Sequence, residues 1–369
     1  MRRTHRRTSG RWLTTDGWRE LVCVHAEHIE SFEAIEPSAH LPQFIPAPVD
    51  LHVHGGGGAD VMQGDDALRT VLRTHARHGT GALLATSVTA PFEQIDDFLN
   101  SVERVMSDPP ADGAVLLGVH LEGPFINPDK LGAQPDFAEP VNKRRLESWL
   151  ASGLVRVITY APEMDSTNCV PALCERYAVK AQVGHSLCHW SLAHRAILAG
   201  VGVTHLFNAM SGVDHREGGV ALAALAYADY AEIITDGIHV EKPAFDLARR
   251  SIPHVYSVTD ATAASGMPDG IYQLGSLSVE KTGDRVMLAD GTLAGSCLTQ
   301  QASIQLLRAW GLEWQEIVER SCEFPARWIN AECVGNFRNG SLANWLELRD
   351  DVPVALWLNG NRLSLNKQQ

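Results

Sequence analysis

The chain has 369 residues, 45% of them hydrophobic and 20% charged, and a formal net charge of −13 at pH 7. That length and apolar content can bury a large core, in one large domain or two smaller ones. The negative charge argues against non-specific binding to nucleic acid or to an anionic membrane, so an anionic ligand needs a local cluster of donors.

Residues 1–10 carry Arg2, Arg3, Arg6 and Arg7, but no continuous apolar stretch follows, so they read as a loose tail on a cytoplasmic chain and not as an export signal. Residues 11–35 alternate in short β-like pieces broken by Asp16-Gly17. A similar pattern, broken by Asn339-Gly340 and Asp350-Asp351, fills residues 336–365. The two flanks predict one small β-sandwich domain built from residues 11–45 and 336–369, around a central domain of residues 46–335.

The centre is regular enough to count. Apolar or β-rich runs ending in polar residues occupy 49–54, 82–88, 115–122, 155–161, 180–185, 202–205, 232–239 and 254–260. Helix-like stretches at 66–78, 94–106, 142–151, 169–177, 192–198, 221–227 and 243–250 separate them. Eight strand–helix alternations predict an α/β fold, a closed (β/α)8 TIM-like barrel. Helical stretches at 298–310 and 314–322 lead back to the terminal domain. The seven cysteines are scattered, form no Cys-x-x-Cys pair and read as reduced structural thiols.

In such a barrel the chemistry collects at the carboxyl ends of the strands, where the βα loops open on one face. His52 and His54 end the first run, two residues apart, so their imidazoles can converge on one ion before the glycines Gly55 to Gly58 turn the chain. Glu122 ends the third run, His185 the fifth, His205 the sixth, His239 the seventh and Asp260 the eighth. Glu122, His185 and His205 match the count of three nitrogen or carboxylate ligands with an open position that acidifies a bound water. Asp260 is the candidate to take that water's proton, with the alternative that it caps the segment after the eighth strand. No serine-hydrolase arrangement and no Walker string is evident.

Five strings, His120-Leu121-Glu122-Gly123-Pro124-Phe125, Gly184-His185-Ser186, Thr204-His205-Leu206-Phe207-Asn208-Ala209-Met210, Thr235-Asp236-Gly237-Ile238-His239-Val240 and Val258-Thr259-Asp260-Ala261, carry a resemblance. Together they resemble the N-acetylglucosamine-6-phosphate deacetylases of the amidohydrolase superfamily, over residues 11–365. The resemblance implies a metal-dependent barrel with a small β-sandwich from both termini. It implies that Glu122, His185 and His205 bind the primary divalent metal and that Asp260 acts as general base and then acid, releasing acetate and a free amine. His239 is likened to a residue that contacts the substrate and polarises its acetyl carbonyl. Ala133, Asn208-Ala209 and Leu293-Ala294-Gly295 match substrate-contacting segments. Arg216 matches an arginine that reaches the sugar phosphate of the neighbouring subunit, which implies a homodimer.

Keeping both His52 and His54 supplies ligands for a second ion with Glu122 as the bridge, so one or two divalent metals per subunit are expected. Zinc is the first expectation, and the mixed nitrogen and carboxylate set also admits iron, manganese or cobalt. Three features depart from the family pattern: the lead-in Ile45-Pro46-Ala47-Pro48, the loop Ser211-Gly212-Val213-Asp214, and Gln134, where many relatives place histidine or another hydrogen-bonding residue next to the sugar. The expected reaction is deacetylation of N-acetyl-D-glucosamine 6-phosphate in amino-sugar catabolism or cell-wall recycling. The alternatives are N-acetylgalactosamine 6-phosphate or another N-acyl compound as substrate, and a metal-binding barrel without catalysis.

Overall fold

All eight central runs form strands of one parallel sheet in the computed structural model, which describes residues 5–36, 38 and 40–365. The strands are Val49–Val53, Ala82–Ser87, Val115–Glu122, Val155–Tyr160, Lys180–Val183, Gly202–Val203, Tyr230–Ile234 and His254–Val258, each hydrogen bonded to the next in chain order. The ends of this sheet meet: the Asp260 N–H donates to the His52 carbonyl at 2.9 Å, and a parallel bridge joins Val53 to Ala261. The result is the expected (β/α)8 barrel.

The intervening helices cover the barrel because their apolar residues recur at helical spacing. In Asp65–Arg77, Leu68, Val71, Leu72 and Ala76 are buried, while Asp65 and Asp66 sit in the first turn, where acidic groups favour the helix dipole. Each large aliphatic chain buried this way contributes about 1.5–3 kcal/mol. Trp328, in the helix Phe324–Trp328, stacks on Tyr230 at 4.7 Å between centroids and joins Val49, Leu51 and Val157 in an apolar cluster near the starts of the strands.

The interior departs from the branched aliphatic layers that usually fill such barrels. Asp50, His52, His120, Thr159, Gln182, Thr204, Glu232 and Tyr256 are all 0% exposed. Burying that many polar groups is costly unless each is hydrogen bonded, so the interior must be ordered around them.

The termini build a separate seven-stranded sheet in the order Asn361–Ser364, Val352–Leu358, Trp345–Arg349, Gln43–Pro46, Arg6–Thr14, Gly17–His25, Ile29–Ala34. Its own core gathers Trp12, Cys23, Ile29, Phe44 and Trp345, with the Trp12 ring 4.4 Å from Phe44 and 5.0 Å from Trp345 between centroids. One expectation is corrected here. The first strand starts at Arg6, inside the stretch 1–10 read as a loose tail, and pairs in register from Arg6 opposite His25 to Thr14 opposite Gly17. Arg7 pairs with Glu33 at 2.6 Å, and the missing side chain of Gly10 makes room for the Phe44 ring. Residues 1–4 lie outside the described residues.

Two further differences concern the catalytic face. The seventh strand stops at Ile234, so His239 does not close it; Asp236 turns the chain by accepting from the N–H groups of Ile238 and His239, both at 2.8 Å. After the eighth strand, the strands Gly270–Leu274, Leu277–Thr282 and Arg285–Met287 form an antiparallel three-stranded sheet that the strand count did not anticipate.

Candidate metal centre and active site

The two-residue spacing of the first strand brings His52 and His54 together, with their Nε2 atoms 3.2 Å apart. Glu122 meets them from the end of the third strand: Oε1 lies 3.4 Å from His52 Nε2, and Oε2 lies 3.2 Å from His54 Nε2. The same Oε1 lies 3.1 Å from His185 Nε2 and 2.9 Å from His205 Nε2. Asp260 Oδ1 stands 3.2 Å from His54 Nε2 and 3.5 Å from His52 Nε2. Two of the three groups of potential ligand atoms among the described residues meet here, Glu122 with His185 and His205, and His52 with His54 and Asp260, each with its atoms within 4.8 Å of one another; the third is His52 with His120 and Glu232. The Glu122 carboxylate stands between the first two.

Proton placement shows what these atoms are arranged to hold. His54 Nδ1 donates to the Thr86 carbonyl at 3.0 Å, and His185 Nδ1 donates to the Lys130 carbonyl at 2.9 Å. A carbonyl only accepts, so each ring carries its proton on Nδ1 and turns an Nε2 lone pair inward. His52 Nδ1 lies 2.9 Å from the carboxylate Oε2 of Glu232, with the same consequence. Lone pairs and carboxylate oxygens that face one another repel unless a cation lies among them. Burial alone pulls His54 down, yet Asp260 and Glu122 outweigh it and push it up to about 9. Burial likewise raises the Glu122 carboxyl, but His52 and His185 hold it well below the usual carboxylate range. A divalent metal fits this donor set: soft enough for imidazole, hard enough for carboxylate.

The backbone is bent to deliver these groups. His185, His205 and Asp260 adopt φ of 47°, 26° and 51°, and Phe207 and Ala209 beside them 81° and 48°. Side chains rarely take this region, and such strain concentrates at functional sites. At the glycine run, Gly57 and Gly58 make the turn with φ of 65° and 83°. Gly55 is required for another reason: a Cβ there would stand 2.5 Å from both the Ala263 nitrogen and the Ala59 oxygen.

A cavity of about 470 Å³ opens over the cluster. His54, Glu122, His185, His205 and Asp260 line it, whereas His52 lies fully buried behind them. Of the expected substrate contacts, Ala133, Asn208, Ala209, His239, Leu293 and Gly295 line the same cavity. His239 reaches it from its loop, with Nδ1 2.6 Å from Asp236 Oδ2; burial lowers its pKa, but Asp236 outweighs that and holds it above the ordinary value. Asp260 precedes no helix and therefore caps none; its side chain faces the histidines.

One expectation is corrected. Ala294 does not line the cavity but packs with Val88, Leu274 and Val286 under the three-stranded sheet, because the chain alternates sides between Leu293 and Gly295. Arg216 is exposed on its loop, where Asp214 accepts from its backbone N–H at 2.7 Å, and lies outside this chain's cavity; the role expected of it is in a neighbouring subunit's cavity, not this one. Gln134, the atypical residue, lines the cavity while its nitrogen donates to Glu122 Oε2 and its oxygen accepts from the Thr89 N–H at 2.6 Å.

Sequence reasoning missed Glu232, which touches His52 from the seventh strand, and Lys130, which lines the cavity and supplies the carbonyl for His185. Glu232 left a visible signal, a carboxylate inside the apolar run Ala231-Glu232-Ile233-Ile234.

No protein-family model matches the chain. It is 33% identical over 337 residues to an N-acetylglucosamine-6-phosphate deacetylase of Bacillus subtilis (strain 168), covering 88% of this chain and 85% of that one. It is 32% identical over 380 residues to an N-acetylgalactosamine-6-phosphate deacetylase of Escherichia coli O157:H7, covering 98% and 100%. Among solved structures, N-acetyl-D-glucosamine-6-phosphate deacetylase from Mycobacterium smegmatis, in complex with N-acetyl-D-glucosamine-6-phosphate, superposes with a TM-score of 0.89 at 28% identity, covering 97% and 99% of the two chains. With a buried carboxylate–imidazole centre at the carboxyl end of an eight-stranded barrel and relatives of this identity over most of its length, the chain belongs to the N-acetylglucosamine-6-phosphate deacetylase family.

Proposed function

We propose that the chain hydrolyses the acetamide of N-acetyl-D-glucosamine 6-phosphate to D-glucosamine 6-phosphate and acetate. The observation that carries this reading is the placement of Asp260, which lines the cavity while its Oδ1 stands 3.2 Å from His54. It can therefore exchange a proton with a molecule in the cavity and still sense the charge of the centre.

Glu122, His185 and His205 are the residues proposed to hold the primary divalent ion, and His52 and His54 the second, with Glu122 shared. Bound there, a divalent cation supplies Lewis-acid polarisation and acidifies water. Asp260 accepts a proton from the attacking water as the new C–O bond forms, then delivers it to the nitrogen as the C–N bond breaks. His239, held by Asp236, donates from Nε2 to the acetyl oxygen as negative charge develops there. Asn208, Ala209 and Ala133 position the sugar. Lys130 on this chain and Arg216 from a second copy supply cationic donors for the phosphate, which makes the working unit a homodimer. Among the described residues no helix is long and apolar enough to cross a membrane, and a phosphorylated sugar suits a cytoplasmic enzyme.

A second substrate deserves a place because the Escherichia coli relative named for N-acetylgalactosamine 6-phosphate aligns over 98% of this chain. Measuring kcat/KM for both sugar phosphates and for unphosphorylated N-acetylglucosamine separates the readings. The glucosamine reading expects a preference of at least about tenfold for its substrate, and a loss of about a hundredfold without the phosphate. A reversed preference transfers the assignment to the galactosamine compound.

A further inference from the structure

We infer that Glu232 is a positioning residue that makes His52 a ligand for the second divalent ion, a deepening of the metal-centre reading above. Glu232 is fully buried among Ala231, Ile233 and Ile234, where a carboxylate is unfavourable unless its charge is answered. Among the described residues no lysine or arginine pairs with it; the histidines within reach are His52, Nδ1 at 2.9 Å, and His120, Nδ1 at 3.9 Å.

His120 does not answer the charge. Its Nδ1 donates to the Leu51 carbonyl at 2.9 Å and its Nε2 lies 2.7 Å from the Thr159 hydroxyl, so both ring nitrogens are committed to neutral partners. The Tyr256 hydroxyl donates to Glu232 Oε1 at 3.3 Å, a neutral contact. The remaining route runs through the His52 ring. A carboxylate on Nδ1 fixes the tautomer and makes Nε2 a stronger donor to a metal. That Nε2 faces His54, Glu122 and Asp260 at 3.2, 3.4 and 3.5 Å.

The two halves of the centre differ in this respect. His185 leans on a neutral carbonyl, that of Lys130, and His205 Nδ1 is buried without a hydrogen-bond partner among the described residues. The link from Glu232 to the primary set is the backbone N–H of His205, 3.4 Å from Oε2. A glutamine with its oxygen at the Oε2 place keeps that contact and the one to His52, and its NH2 at the Oε1 place donates to the Tyr256 hydroxyl where Oε1 accepted from it, so Glu232→Gln removes the charge and reverses one hydrogen bond. Glu232 therefore acts on the second site selectively.

The test uses metal alone, without sugar. Metal-free wild-type protein is titrated with Zn2+, and with Co2+ followed by its visible absorption, to give stoichiometry and affinity for each step. Wild type takes two ions per chain; Glu232→Gln keeps the tighter step unchanged and weakens the other by about 10–100-fold. His52→Asn, an independent arm should Glu232→Gln fold poorly, loses the second ion and retains the first. Adding Glu232→Gln to His52→Asn changes nothing further. The inference is overturned by equal weakening of both steps, by no weakening, or by a wild type that stops at one ion under saturating metal. Because no substrate enters, a protein that shows the split but deacetylates neither sugar phosphate retains this inference and loses the substrate reading.

Discussion

Gln134 donates its amide N–H to Oε2 of Glu122, the carboxylate that stands between the two groups of histidines. The Thr89 N–H holds the amide oxygen at 2.6 Å, so the glutamine is fixed at both ends and orients Glu122.

Gln134→Leu removes that orientation while filling similar space. It should weaken metal retention by about tenfold or more, as loss of an outer hydrogen bond to a ligand does elsewhere. The ratio of kcat/KM between the two sugar phosphates should stay within about twofold, since the amide is committed to Glu122. Dialysis against a chelator followed by metal analysis, with parallel kinetics, checks both. A changed sugar preference with unchanged metal retention would return Gln134 to the sugar.

On the role proposed for His239, that residue and Asp236 should set the alkaline limb of activity. With Asp236 on Nδ1, the form that can donate from Nε2 is the imidazolium, and Asp236 holds the His239 pKa above its ordinary value, against the opposing effect of burial. Activity should fall as pH rises through that raised pKa. Asp236→Asn removes the carboxylate, lowers the His239 pKa and moves the alkaline limb to lower pH. The profile of kcat/KM against pH reads this directly; an unmoved limb assigns it to another group.

His75 ties the stability of the glycine run to pH. It is buried, its Nε2 donates to the Gly55 carbonyl at 2.9 Å, and burial pulls it down from 6.5 to about 4. The unfolded chain protonates this histidine first, so its contribution is present above pH 6.5 and is lost as pH falls toward about 4. That window is worth about 3 kcal/mol. His75→Gln keeps a donor without a titration. Denaturation at about pH 7.5 and about pH 5 should show a smaller acid loss in the variant than in wild type.

Much of this was legible because the polar residues end strongly apolar runs. Glu122 ends its strand, His54, His185, His205 and Asp260 follow theirs within two residues, and all meet in space. His239 was legible as a site residue but not as a strand end, because the Asp236 turn that carries it depends on a side-chain hydrogen bond and not on periodicity. The strand at Arg6–Thr14 was hidden by its charge: the first half is mostly exposed and is held by pairing with Gly17–His25, a tertiary effect. The three-stranded sheet after Asp260 has mixed burial and short strands, so no alternation marks it. Gln134 and Glu232 show a further limit. The direction in which a buried polar side chain points is decided by partners far along the chain, Thr89 and Glu122 for one and His52 for the other.

The most direct test of the account is Asp260→Asn, assayed for acetate release from N-acetyl-D-glucosamine 6-phosphate with metal content measured on the same sample. Asparagine keeps the shape but cannot take the proton. The account predicts that kcat falls by about 10²–10⁴-fold or more while the ion held by Glu122, His185 and His205 remains. Turnover close to wild type with that ion in place would contradict it and remove Asp260 from the chemistry.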